Sequence, residues 1–373
     1  MVFGLSTLDE EANRRRSDLW RVGVDGSGLR RITTHPAGEF NARWAPDGAG
    51  VFFLSTRSGS SQVWYIPMSG GEARQVTDLP LDVGSMALSR DGRSLAVSME
   101  VFPDCPDLAC TVDRLREASE AVSSGVLYDR LFIRHWDTWE DGRRSHLFVL
   151  PTEGTDAPVD IMSGMDGDAP SVPFGGPEEY SFTPDGEAVV FTVRLAGRGE
   201  PWSTDFDLYI APADGSHDPR LLTSDNRAWD TQPVFSPSGD RMAYLAMERP
   251  GYEADRFRII LQDWPHGETR VLTEDWDRSV GSMTFSPVGR TLLVTAQNLG
   301  NTSLFQVDVE TGEVTEILHE GTIRSPSYAG DQIIFGMDHL RSPVELYRLS
   351  STGSDLVPIT RINEEKLSRV ELG

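Results

Sequence analysis

FTPDGEAVVFT (182–192) followed by LYIAPADGSHDPRLLT (208–223) is the pair of segments on which the fold turns. The first is an aromatic residue, a Pro-Asp-Gly turn and a run of apolar residues. The second is a short apolar run, a glycine-containing turn and another short run closing on Leu-Thr. Each reads as a β-hairpin, because Asp-Gly supplies the positive φ that a tight turn requires. The run AVVF is continuous instead of alternating, as expected of a strand covered on both faces.

Both segments recur. The second kind returns as LWRVGVDGSGLRRIT (19–33), VWYIPMSGGEARQVT (63–77), LFVLPTEGTDAPVDIM (147–162), IILQDWPHGETRVLT (259–273), LFQVDVETGEVTEIL (304–318) and LYRLSSTGSDLVPIT (346–360). The first kind returns as WAPDGAGVFFLS (44–55), LSRDGRSLAVS (88–98), FSPSGDRMAYL (235–245), FSPVGRTLLVT (285–295) and an eroded YAGDQIIFG (328–336). A unit of about 45 residues with four short strands cannot bury both faces alone, so neighbours must stack, and radial stacking makes a β-propeller. The expectation is an all-β, seven-bladed β-propeller of four-stranded antiparallel blades over residues 1–362, with the first blade incomplete. Residues 2–7 take the place of that blade's second strand, which leaves its inner edge without a partner. The charged stretch 363–373 reads as an exit linker.

Lys plus Arg number 34 against 58 Asp plus Glu, a net charge of −24 in 373 residues. Such a surface repels nucleic acid and anionic membranes and attracts cationic groups. No apolar run reaches membrane-spanning length and no signal peptide is present. The two cysteines, Cys105 and Cys110, share one short proline-containing loop. That placement favours a local disulfide, and with it a periplasmic or secreted location, the alternative being free thiols in the cytoplasm. Metal binding is disfavoured because no histidine lies at ligand spacing.

Extra length collects after the second strand of a blade, at 100–127, 195–207, 247–256 and 297–302, so one face of the disc is elaborated. Function on repeat folds concentrates on such a face. Within the first insertion, Leu115, Ala118 and Val122 fall at helical spacing. In LFIRHWDTW (131–139), Arg134, Trp136 and Trp139 crowd together, either as a packed strand or as a wall for a bound peptide. Arg194 and Trp202 flank and occupy the second insertion. Glu39, Asp82, Glu178, Glu179 and Asp230, with Asp277 further back, precede the first strands of their blades and would form an acidic rim at the channel mouth.

There is no Gly-x-Ser-x-Gly, no His-Glu-x-x-His and no phosphate loop, and the seven histidines are scattered. Nothing in the chain assembles a catalytic triad, and no cofactor is implied.

FPDCPDLACT (102–111), RHWDTWEDGRRSHLFV (134–149), FGGPEEYSFTPDG (174–186), EPWSTDFDLY (200–209), AWDTQPVFSPSG (228–239) and AMERPGYEADRFRI (246–259) resemble the propeller domain of prolyl oligopeptidase family serine peptidases. The similar branch holds acylaminoacyl peptidases and bacterial dipeptidyl peptidases. The resemblance implies a non-catalytic propeller that gates substrates and binds a peptide end for an α/β-hydrolase domain lying beyond residue 373. In dipeptidyl-peptidase relatives a propeller Glu pair holds the substrate's amino group, which makes Glu178 and Glu179 the corresponding candidates. Arg134 or Arg194 would suit a carboxylate. The rival reading is a freestanding propeller of the TolB-like or WD-repeat kind that recruits a protein partner; a homo-oligomer is open under either.

Overall fold

The computed structural model describes residues 1–154 and 156–370. Its regular structure is almost all strand. In chain order the main sheets hold three strands (β1, Val2–Asp9; β2, Arg14–Arg21; β3, Arg30–Arg31), then four in each of four sheets, then eight. The eight are two antiparallel sets of four, within 280–318 and 322–358, joined by one parallel pairing of Thr302 with Thr322. Spatial order in each set follows chain order. The Asp-Gly turns close as the sequence requires: Gly48, Gly92 and Gly186 have φ of 70°, 73° and 76°, and the Asp47 carboxylate accepts from the Ala49 N–H at 2.8 Å.

The core lies between consecutive sheets. Phe52, Leu54 and Val63 of the second sheet pack with Leu95, Val97 and Met99 of the third. Leu245 and Leu261 of the fifth meet Val294 and Phe305 of the next. Each sheet is therefore apolar on both faces, which explains the continuous runs; Val51, Phe53 and Leu54 are all fully buried. Truncating a side chain such as Phe53 or Phe191 to alanine costs about 3 to 5 kcal/mol by the transfer and cavity terms together. At the other end of the series, Met1–Gly4 face Ile334, Phe335 and Val344 across a cavity of about 350 Å³, so the first and last sheets are neighbours.

The recurring Leu-Thr has a definite role. Where the short outer strand ends, the threonine hydroxyl accepts the next N–H of the strand beside it: Leu19 to Thr33 at 2.8 Å, Val63 to Thr77 at 2.8 Å, Leu208 to Thr223 at 2.9 Å, Ile259 to Thr273 at 2.9 Å and Leu346 to Thr360 at 2.8 Å. The same hydroxyl donates onward to an acid or amide, Gln62 for Thr77 and Glu345 for Thr360. A buried N–H that the ladder would abandon is thereby satisfied. In the third sheet, which lacks the threonine, Met162 Sδ stands in at 3.3 Å from the Leu147 nitrogen.

Two loop expectations need correction. A helix, α1, spans Leu108–Glu120, starting earlier than the spacing of Leu115, Ala118 and Val122 indicates, because Asp107 caps it by accepting from the Cys110 N–H at 2.8 Å. Its inward side chains are Leu108, Val112 and Leu115, while Val122 lies beyond the helix, exposed. The supposed insertion at 297–302 is instead a tight hairpin: strands run through Thr291–Asn298 and Asn301–Asp308, with Leu299 and Gly300 both at positive φ. Length after the second strand is real at 102–143, 194–206 and 247–257. Cys105 and Cys110 are joined, Cα atoms 5.5 Å apart, at the start of the longest of these loops. Residues 364–367, inside the charged 363–373 stretch, form one helical turn; 371–373 lie outside the described residues.

Candidate functional site

The longest loop returns to the sheet through a small hairpin that pairs Arg134 with Trp139 and His135 with Thr138. Trp136 occupies its turn at φ 46°, a left-handed conformation that a bulky residue adopts only where neighbours impose it. Here Arg134 reaches over and donates to the Trp136 carbonyl. The Trp136 ring meets Phe174 edge-on at 5.5 Å, and Trp139 stacks with Tyr128 at 6.1 Å under the Arg134 guanidinium. Despite these contacts Trp136, Trp139 and Phe174 stay 65%, 60% and 73% exposed. Between the hairpin and the sheet lies a cavity of about 230 Å³ lined by Glu100, Trp136, Trp139, Arg143, Asp168 and Pro173.

Asp168, in the wall of this cavity, belongs to a network centred on Arg144. Its guanidinium is held at 2.8 Å by each of Asp166, Asp168 and Glu200, and Glu200 also takes Arg194 at 3.3 Å. Burial works against the charge of Arg144, but the hydrogen bonds to Glu200 and the charges of Asp168 and Glu200 win, and its pKa stands above the usual arginine value. The network ties the third strand of the third sheet to the 3-10 turn Gly197–Trp202 of the fourth, which presents Trp202 at 74% exposure.

The acids expected at a rim sit deeper than the sequence reading places them. Glu39 is fully buried, accepting from Thr33 and pairing with Arg57. Glu179 closes a 3-10 turn, Pro177–Glu179, and is buried with the N–H and hydroxyl of Ser171 on its carboxylate at 2.6 and 2.9 Å. Burial pushes its pKa up to about 7. Asp230 is 0% exposed; one oxygen accepts from Asn226 at 2.7 Å and the other has no partner. Burial, with repulsion from Asp207 and Asp205, pushes it up to about 7 as well. Glu178, Asp82 and Asp277 remain exposed. The structure thus brings Trp136, Trp139 and Arg134 together, joins Arg194 to Arg144 through Glu200 on the turn that carries Trp202, and places Glu179 and Asp230 in the interior.

Arg134 and Arg194 are both engaged within the protein, Arg194 also donating to the Ser203 carbonyl at 2.9 Å. A residue the sequence reading missed is Arg43, on the first strand of the second sheet. Among the described residues it has no ion pair within 4 Å; its one hydrogen bond goes to the Ala42 carbonyl at 3.0 Å. Burial lowers its pKa against the pull of Tyr180 and Glu178, which face it. Phe174 was missed too, although its neighbours Gly175 and Gly176 mark a place where the chain turns tightly over Ser171.

Consecutive four-stranded antiparallel sheets stacked face to face, with loops massed after the second strand, define a β-propeller. The propeller domain of the trilobed protease from Pyrococcus furiosus matches at a TM-score of 0.62 and 14% identity over 97% of this chain and 92% of that one. Acylaminoacyl peptidase from Pyrococcus horikoshii gives 0.72 and 18% over 99% of this chain and 52% of its own. In sequence the chain is similar to dipeptidyl-peptidase 5 of Porphyromonas gingivalis, 26% identical over 376 residues that cover 99% of this chain and 53% of that protein. What is matched is the propeller part of these peptidases, and the chain spans about half the length of the curated relatives it matches. No family model matches.

Proposed function

We propose that this chain is the substrate-gating, peptide-binding propeller of a dipeptidyl-peptidase-like serine peptidase, its sheets closing into a ring of seven blades. The observation that carries the reading is the exposed aromatic group Trp136, Trp139 and Phe174, the first two on the loop that enlarges the third sheet and Phe174 on the connection into the fourth, with Trp136 and Phe174 in edge-on contact. Exposed aromatics in such a cluster suit a peptide or a covering domain. The similarity to dipeptidyl-peptidase 5, which runs along 99% of this chain and 53% of that protein, supports a hydrolase domain as that cover.

In this reading the propeller makes no bond itself. It excludes large chains, screens the reacting centre from water and offers one wall of the peptide site. Glu178, exposed beside the central strands, is the group available to a free amino terminus, whereas Glu179 holds the turn that presents it. Arg43 is the cation available to a peptide carbonyl or carboxylate. The Cys105–Cys110 bond supports a periplasmic or secreted location.

The test is an enzyme that joins this chain to its hydrolase half. Trp136→Ala should lower kcat/KM on dipeptidyl chromogenic peptides at least tenfold and leave the melting temperature of the propeller within a few degrees. An unchanged kcat/KM would remove the aromatic wall from the peptide site. Specific binding of a folded protein to the isolated chain, lost in Trp136→Ala, would favour the freestanding interaction propeller instead.

A further inference from the structure

Two buried polar atoms without a partner among the described residues, Asp230 Oδ2 and Arg258 Nε, belong to residues that line one cavity of about 400 Å³. It lies beside the core between the fourth and fifth sheets, where Val190 and Leu208 of the one meet Met242 and Tyr244 of the other. The strand register sets the two groups in one row. Asp230 stands opposite Ala246, and Ala246 opposite Arg258, so the three side chains leave the same face of the fifth sheet. The Cα atoms of Asp230 and Arg258 are therefore two strand spacings, about 10 Å, apart, with only the Ala246 methyl group between them. The two side chains do not pair with each other. Arg258 Nη1 is drawn off to Glu274 at 2.8 Å and Glu248 at 3.3 Å, and Asp230 receives Asn226 on its other oxygen.

The row is a floor with an acceptor at one end and an N–H donor at the other. Tyr244, two residues before Ala246 and on the same face, lies close enough to Asp230 for that charge to add to burial in raising the pKa of its hydroxyl. Leu222, Ile260 and Val271 form an apolar side. The outer strand of the fourth sheet, Arg220–Leu221, is two residues long, and Val271 stays 38% exposed, which leaves the cavity open to solvent. We infer that this cavity binds a free α-amino acid with an apolar side chain, its ammonium on Asp230 and its carboxylate on the Arg258 Nε–H. The ammonium brings the donors that the bare Asp230 oxygen requires, with the Tyr244 hydroxyl as a second acceptor. Charge-assisted bonds of about 2.8 Å at each end, with the single carbon between ammonium and carboxylate, fill the gap over Ala246. The side chain covers Leu222, Ile260 and Val271. An amine without the acid leaves Arg258 Nε unpaired, and an acid without the amine leaves Asp230 unpaired.

The probe is L-leucine, titrated into the full chain by calorimetry. It should bind one to one and raise the melting temperature with concentration. Two analogues test the ends without any variant: N-acetyl-leucine lacks the ammonium and leucinamide lacks the carboxylate, and each should bind at least about tenfold more weakly. Asp230→Asn keeps the acceptor for Asn226 but loses the charge, so it should weaken leucine at least about tenfold while the unliganded protein melts no lower than the parent at neutral pH. Absence of leucine binding at tens of millimolar, either analogue binding as tightly as leucine, or an Asp230→Asn variant with unchanged affinity would overturn the site.

Discussion

Replacing Asp230 by asparagine removes a charge that the fold accommodates badly. The side chain is fully buried, Asn226 satisfies one oxygen, and the other oxygen is bare. Its pKa is raised from 3.8 to about 7 by burial first and by Asp207 and Asp205 after it. Because the folded value is the higher one, the folded state holds a proton that the unfolded chain has released. The stability contributed by this group is fully present below 3.8 and is lost as pH climbs to about 7. At about 1.36 kcal/mol for each pH unit, the full span amounts to roughly 4 kcal/mol. Asp230→Asn keeps the acceptor for Asn226 and mimics the protonated form. It should match the parent in urea unfolding near pH 4, overtake it by about 1.4 kcal/mol per pH unit above that, and level off several kcal/mol more stable above pH 7. Tryptophan fluorescence across urea gradients at four pH values measures the gap. A gap that does not vary with pH, or an asparagine variant less stable at pH 8, would refute the argument.

Removing Arg144 leaves the mostly buried Asp168 without its cation and Glu200 with Arg194 alone, so Arg144→Met should cost about 3 to 5 kcal/mol in urea unfolding, far beyond a surface ion pair; a loss below about 1 kcal/mol would show that the network is solvated. Thr77→Val keeps the shape but strands the Val63 N–H, with an expected loss of about 1 to 3 kcal/mol, and hydrogen exchange at Val63 should accelerate before that of its neighbours. Cys105→Ser, or reduction of the intact chain, opens a five-residue loop and should cost at most about 2 kcal/mol, with exchange increases confined to α1 and its flanks. Phe174→Ala should leave stability within about 1 kcal/mol, since the ring is mostly exposed, and in the complete peptidase it should fall in kcat/KM together with Trp136→Ala.

The repeat was legible because each unit repeats its own chemistry: Asp-Gly dictates a turn at 47–48 as at 185–186, and the apolar runs dictate two covered faces. The connections between strands were less so. Asp107 as a helix cap outweighs the apolar spacing of residues 115–122, and a tight turn at Leu299 and Gly300 looks in sequence like a loop. The candidate site divides in the same way. Trp136 and Trp139 could be picked out as crowded aromatics in a loop, but the depth of Glu179 and Asp230 could not, because it depends on Ser171 and Asn226, which meet them only after the strands register. Arg43 carries no local signal; its lack of a carboxylate partner among the described residues is a property of the assembled centre.

The outer strands are two or three residues long in most sheets, and several carry arginine: Arg30 and Arg31, Arg74, Arg220 and Arg270. In five of the sheets the strand stops where a threonine hydroxyl takes over the next main-chain hydrogen. The circumference consequently offers an approaching chain almost no run of free amides and a fringe of charged side chains, which discourages molecules from zipping together side by side into fibrils. A concentrated solution of this protein is protected along its perimeter by brevity and charge.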